Sequence, residues 1–438
     1  MATRDTDETT WPAPGRAWSV VGLFCVAAIL SYTDRQILGL LVDPIRADLH
    51  ISDTQVGVLQ GVAFAIVYSF AGLPLGRLAD LVQRRRVILA GIALWSAGTL
   101  LCGYAGSFGM LFVGRLVVGI GEAALAPAAT SMIADMFPTK RRGTAIGLFA
   151  MGMVIGGGAA ISIGGTVLGL AQRGGFAGLP VLGTLAPWRT VMVLLGLSGL
   201  PLFAALVLVR EPARHRTAVE GADADRALGA ILAQLGLVRR ALIPLVLGCA
   251  LMSVGDFAML SWVPALLARR YLFSPEAIGI ALGAPIVLAG GLASLGGGAI
   301  SDRLALRRGP AGRLLLAGCS ATVALPFALI AFATSAGQAI ACVALWSLFS
   351  TVAGIVGMTA MQEIVPNRAR GLASSFISFG NIMLGLGGGA TLTGFVTDHV
   401  FGDPLAVGRS LTFVVLPAGI VAILLFFLAS RAARSLSR

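Results

Sequence analysis

Runs of apolar residues, each ended by a short polar or Gly/Pro-containing turn, mark twelve segments: 17–41, 54–76, 87–107, 108–136, 143–170, 188–210, 241–268, 276–299, 313–333, 336–361, 371–397 and 407–430. About 20 residues at ~1.5 Å each span the ~30 Å of a bilayer core as a helix. One long polar stretch, 211–240, opens on Glu211-Pro212 and divides the spans six and six. The pattern predicts an all-α integral membrane protein, with twelve transmembrane helices in two pseudo-symmetric six-helix bundles. The expected organisation is a tail at 1–16, a first bundle at 17–210, a linker at 211–240, a second bundle at 241–430 and a tail at 431–438.

Two charged segments repeat. Gly76-Arg77-Leu78-Ala79-Asp80 leads to Arg84-Arg85-Arg86, and 222 residues later Gly298-Ala299-Ile300-Ser301-Asp302 leads to Arg307-Arg308. Pro138-Thr139-Lys140-Arg141-Arg142-Gly143 returns 228 residues on as Pro366-Asn367-Arg368-Ala369-Arg370-Gly371. Two echoes at nearly one offset indicate a duplicated architecture, which is common in transporters.

Composition supports the membrane reading: 57% of residues are hydrophobic, 12% are charged, and mean hydropathy is +0.90, against about 25% charged in soluble domains. The net charge of +12 reports topology rather than nucleic-acid binding. Of 32 Lys and Arg residues, 24 fall on the side that holds both tails, five on the opposite loops and three within spans. Basic residues gather on the cytoplasmic side, so both termini are expected in the cytoplasm of a cell inner (plasma) membrane, with anionic lipid contacts. The acidic and basic start (Arg4, Asp5, Asp7, Glu8) is unlike a secretory signal, so the first span is read as one that stays.

The 58 glycines suit close helix packing in lipid. Cys25, Cys102, Cys249, Cys319 and Cys342 fall in apolar runs without paired spacing and read as small buried hydrophobes. Three dispersed histidines give no metal-ligand spacing. There is neither a Gly-x-x-x-x-Gly-Lys-Ser/Thr loop nor a Gly-x-Ser-x-Gly elbow. An enzyme, a metal and a cofactor are therefore not expected. The partners expected are a small amphipathic or anionic solute, protons and membrane lipids, for a chain acting as a monomer.

Ionised side chains near the bilayer centre cost at least ~2.5–3.5 kcal/mol, so each needs a partner or a role. Span one contains Ser31-Tyr32-Thr33-Asp34-Arg35, and span four carries Arg115 and Glu122 seven apart, on one helix face. Asp34 and Arg115 lie ~10 Å inside their spans, and Glu122 ~10 Å deeper. One reading is a structural ion-pair network. The other is function, with Asp34 and Glu122 as proton carriers and Arg35 and Arg115 stabilising them or gripping an anionic headgroup. Burial disfavours an ionised carboxylate and a neighbouring guanidinium favours it, so arrival of an anion could change proton affinity.

In the second half Asp256 is the acid deep in a span, read either as a cavity residue or as a packing residue, with Trp262 six positions on. Glu363 and Asp398 sit at span ends and read as interfacial. Phe257, Met259, Trp346, Ser350, Met358, Phe376, Phe379 and Asn381 suggest a cavity that is polar on one side and greasy on the other. The charged turns read as a conformational latch built from Gly76, Asp80, Arg84, Asp135 and Asp302, in which Arg84 can meet Asp135, or simply as topology-setting basic loops.

These residues resemble the major facilitator superfamily: Gly76 to Arg86 looks like its loop 2–3 signature, and Arg115-x-x-x-Gly119-x-Gly121 like its span-four signature. Tyr32-x-Asp34-Arg35 with Gly121-Glu122-Ala123 and Pro127 is similar to the spinster family, whose animal members export lysolipids. The resemblance implies proton-linked transport by a bacterial relative, with Asp34, Arg35, Arg115 and Glu122 in a central cavity. Span five, with Gly143, Gly152 and Gly156, is similar to the antiporter signature. Gly157 stands where its proline belongs and Ala160 replaces its last glycine, so symport and antiport both stay open. The expected function is a proton-coupled transporter of an amphipathic or organic anion working by alternating access. The alternatives are an organic-acid or sugar-acid importer and a non-transporting sensor on a transporter fold.

Overall fold

The computed structural model describes residues 11–214 and 224–436. The first ten residues and the linker positions His215, Arg216 and Asp223 lie outside them. Among the described residues twelve helices are long and apolar enough to span a membrane: α1 Pro14–Ile37, α2 Asp53–Leu81, α3 Arg84–Gly103, α4 Phe108–Met136, α5 Thr139–Gln172, α6 Pro187–Val207, α7 Gly229–Tyr271, α8 Pro275–Leu306, α9 Arg308–Phe332, α10 Ala336–Ile364, α11 Asn367–Phe401 and α12 Pro404–Ser435. Each contains one of the twelve apolar segments read from sequence, or nearly all of it.

The boundaries differ where polar residues continue a helix. The helix that includes α7 already begins at Ala224, and Leu235 and Val238 are buried in the second bundle's core. The second half of the 211–240 stretch is therefore helical rather than a loose connection. Between α8 and α9 the helix runs on through the charged segment and breaks only at Gly309 (φ 57°), before Pro310. Its counterpart breaks at Val82. The extension accounts for the growth of the repeat offset from 222 to 228: six residues, about one and two-thirds helical turns, are added before the following helix.

Chain direction puts both termini, the α2–α3 turn and the α8–α9 turn at one end, here called the basic end; the other is the distal end. Within the first bundle α1 packs on α5, and α3 on α4 and α6; within the second, α7 packs on α11 and α12, and α9 on α12. Between bundles α2 meets α11 and α5 meets α8. These seams are tight toward the distal end. A Cβ at Gly57 would lie 2.7 Å from the Ala390 carbonyl oxygen, and one at Gly165 would lie 2.3 Å from that of Pro275. Toward the basic end the same helices are open: nothing lies within 4 Å of a side-chain position at Gly72 on α2 or Gly371 on α11, nor at Gly147 on α5 or Gly296 on α8. The two bundles are joined at the distal end and splayed at the basic end.

Candidate functional site

The intramembrane charges of the first bundle meet in two crossed pairs. Asp34 on α1 accepts from Arg115 Nη1 on α4 at 2.9 Å, and Arg35 Nη2 on α1 donates to Glu122 Oε2 on α4 at 2.8 Å. Each helix thus supplies one acid and one base, so neither carries net charge into the bundle. Adjacent residues on a helix point ~100° apart, which is why Asp34 and Arg35 reach different partners. Ser31, four residues before Arg35 and on its face, donates to the same Glu122 oxygen at 2.8 Å. Thr99 on α3 donates to Asp34 Oδ2.

The quartet is nearly sealed: Asp34 is 3% exposed, and Arg115 and Glu122 are 1%. Aromatic faces complete it. The Arg35 guanidinium lies 4.5 Å from the Phe64 ring centre, 4.9 Å from Tyr68 and 5.2 Å from Tyr32, a cation–π cage on one side of a positive charge. Three buried polar atoms, Arg35 Nε, Arg115 Nη2 and Glu122 Oε1, find no hydrogen-bond partner among the described residues. A small cavity lined by Ser31, Tyr32, Arg35, Tyr68 and Glu122 opens beside them.

In the second bundle Asp256 Oδ1 accepts from Trp346 Nε1 at 2.9 Å and from Ser350 Oγ at 2.6 Å. Trp262 sits elsewhere: it is fully buried, and its indole N–H donates to the Ala390 carbonyl at 2.8 Å. Its ring therefore packs α7 against α11 and does not line the opening.

Of the residues read as a latch, Arg84, Asp135 and Asp302 enter two clamps, and Gly76 and Asp80 enter neither. Arg84, 2% exposed, pairs with Asp135, with Glu211 at 3.1 Å and with Ser131 Oγ at 3.2 Å. Glu211 also accepts from the backbone N–H groups of Arg84 and Arg85, an acid at a helix N-terminus. Arg313 repeats the arrangement with Asp302 at 2.9 Å and Glu363 at 3.0 Å. Gly76 approaches Pro127 of its own bundle. The Asp80 side chain is exposed, and it is its carbonyl that accepts from Arg214. None of these contacts crosses between bundles while the basic end is open. Arg84→Ala should cost about 1.5–3 kcal/mol by taking charged hydrogen bonds from the half-buried Asp135 and Glu211. Arg173→Ala, at a pair with Glu276 where the arginine is 67% exposed, should cost under ~1 kcal/mol. Thermal midpoints of the two variants check the contrast, and equal losses would contradict it.

The contacts that do join the bundles were not singled out in the sequence. At the distal end Arg269 of α7 grips Asp53 of α2 through both nitrogens, at 2.7 and 2.8 Å, and reaches Asp43 at 2.8 Å. Asp398 of α11 accepts from the Thr54 backbone N–H at 2.6 Å, at the N-terminus of α2. The available signal was the Ser52-Asp53-Thr54-Gln55 run, a helix-start signature that Ser52 and Gln55 fulfil.

The Major Facilitator Superfamily pattern matches residues 24–387 of the chain. An MFS-type efflux pump of Mycolicibacterium smegmatis is 30% identical over 440 residues, with 98% of this chain and 96% of the relative covered. Protein spinster of Drosophila melanogaster is 32% identical over 179 residues, 40% of this chain and 29% of the relative. Among solved structures, a bacterial homologue of the human lysosomal transporter spinster, in an inward-facing and unoccupied conformation, superposes with a TM-score of 0.80 at 24% identity, covering 96% of this chain and 98% of that one. Its occupied, inward-facing form gives 0.77 at 26%, with 97% of each chain covered. With two six-helix bundles, a charged site between α1 and α4 and a family match across most of its length, the chain belongs to the Major Facilitator Superfamily and is a multi-pass membrane transporter rather than an enzyme.

Proposed function

We propose that the chain is a proton-coupled secondary active transporter of an amphipathic, lysolipid-like organic solute with an acidic group, working by alternating access as a monomer in a cell inner membrane. The basic end faces the cytoplasm, so the described state is inward-open. The observation that carries the reading is the crossed quartet of Asp34, Arg115, Arg35 and Glu122. Glu122 keeps one oxygen without a partner beside a small cavity, where a proton can be taken up. An anionic group arriving at Arg35 competes with Glu122 for the guanidinium and loosens that pair, which links solute and proton binding. Asp34, held by Arg115 and Thr99, is the second carrier. The Arg84 and Arg313 clamps keep each bundle rigid while it rocks, and exposed Asp80 is free to engage the opposite bundle when the basic end closes.

The test uses proteoliposomes with an imposed pH gradient, a lysophospholipid as solute and a luminal pH dye. The native chain should couple solute to proton movement. Glu122→Gln and Asp34→Asn should drop gradient-driven flux to the protein-free background while the protein stays monodisperse in detergent. Full pH-dependent flux in both variants would remove these carboxylates as carriers. A sugar acid is the competing solute class, because relatives include a probable L-galactonate transporter of Escherichia coli, 27% identical over 292 residues. Running galactonate alongside the lysophospholipid separates the two.

A further inference from the structure

The two bundles are related residue by residue, and the relation exposes one imbalance. Among the described residues the non-glycine positions with positive φ are His50 (51°) and Leu272 (56°), 222 apart. Ser52 and Ser274, also 222 apart, each accept from the backbone N–H three residues on. At that offset Asp256 on α7 stands where Asp34 stands on α1, and Phe257 stands where Arg35 does. For α4 and α10 the offset is 228, set by the matching caps at Ser107 and Ser335 and by the equivalent acids Asp135 and Glu363. There Ser350 takes the place of Glu122, Trp346 that of Val118 and Val343 that of Arg115.

The second bundle therefore keeps one of the first bundle's two acids and lacks both bases. Asp34 and Glu122 are balanced by Arg115 and Arg35; among the described residues Asp256 has no ion-pair partner and is held by the neutral donors Trp346 and Ser350. Both donors bind Oδ1, which leaves Oδ2 for something else. Unlike Asp34, Asp256 is only partly buried. Its neighbour Phe257 packs against the first bundle's core, so this stretch of α7 lies toward the other bundle.

We infer that Asp256, braced by Ser350 and Trp346, binds an ammonium group of the transported molecule. A fixed negative charge at this depth calls for a cation. A hard metal ion would want several oxygen ligands, whereas the indole N–H and the hydroxyl proton here point at the carboxylate. An ammonium group needs only one carboxylate oxygen for a charge-assisted hydrogen bond. This inference rests on the transporter reading and narrows its solute: an acidic group at Arg35 and an amine at Asp256 bridge the two bundles, so the solute is zwitterionic at its head.

The test is equilibrium binding to protein in lipid nanodiscs, against empty discs, of octylammonium, octanol and octanoate. The native chain should bind octylammonium roughly tenfold tighter than octanol, the scale of one charge-assisted contact. Asp256→Asn keeps an acceptor for Ser350 and Trp346 and so preserves the fold, yet should erase that preference while leaving octanol unchanged. Val343→Arg, which restores the missing base, should erase it too. Equal affinity for octylammonium and octanol in the native chain overturns the inference, as does an unchanged preference in Asp256→Asn. So does a result in which Asp256→Asn alters only proton-driven flux, since Asp256 would then be a proton site. Glu122→Gln should retain the amine preference while losing gradient-driven transport, so failure of the coupling reading is separable from failure of this one.

Discussion

Arg115→Met is expected to destabilise the protein more than any other single change in the α1–α4 site, by about 3–5 kcal/mol, the cost of leaving a buried charge without its partner. Arg115 and Asp34 are 1% and 3% exposed, so water cannot replace the lost guanidinium. Methionine fills much of the same volume, which confines the loss to charge rather than to a cavity. Thr99 donates one hydrogen bond to Asp34 and cannot balance a full charge. The companion variant decides the cause. Arg115→Met combined with Asp34→Asn removes both charges and should recover most of the stability, because the penalty belongs to the orphaned ion and not to the absent pair. The measurement is the thermal midpoint of monodispersity in detergent for the two single variants and the double. If the double variant is as unstable as Arg115→Met alone, the arginine holds the bundle by packing.

The positions of these charges could be read from the chain, but their pairing could not. Asp34, Arg35, Arg115 and Glu122 stand out because ionised residues interrupt apolar spans, which makes them rare and costly. Seven-residue spacing places Arg115 and Glu122 on one face. That Asp34 takes Arg115 and Arg35 takes Glu122 depends on the rotation of α1 against α4, which a sequence pattern does not encode. Thr99 is one hydroxyl among many in the spans and carries no local mark. Trp262 illustrates the reverse: its place six residues after Asp256 suggested a substrate or charge-pairing residue, but the face it occupies turns it toward Ala390. The distal network of Asp53, Arg269 and Asp398 was hidden because charges at span ends read as ordinary loop residues. The twelve spans themselves were legible, since length and hydropathy suffice for a bilayer-crossing helix. Their ends were less so, because Ala224 to Arg240 and the segment before Gly309 extend helices past the length that the bilayer core requires.

Leucine at Gly165, and separately at Gly57, is expected to drive the transporter out of the state described here. The two glycines hold opposite seams of the distal closure, α5 on α8 and α2 on α11. A Cβ at either would meet a backbone carbonyl, at 2.3 and 2.7 Å, and backbone cannot swing aside as a side-chain tip would. The seam must open, or the state must pay an overpacking cost of about 1–3 kcal/mol. Once the bundles part at the distal end, these positions face the opening and a leucine costs little. The penalty thus falls on one state of two, which is the condition for shifting a population. At ~1.4 kcal/mol per factor of ten, the shift toward the distal-open state is roughly five- to hundredfold. A cysteine at Thr391, whose hydroxyl now donates to the Gly57 carbonyl across the seam, reports it in a chain freed of its native cysteines. An impermeant maleimide added from the distal side should label Thr391→Cys faster by that factor in the Gly165→Leu background. Because Gly165 lies on the seam remote from Thr391, faster labelling there requires the two bundles to move as rigid bodies. A labelling rate that rises with Gly57→Leu but not with Gly165→Leu would mean that the seams open independently, and rigid-body alternation would be the wrong description.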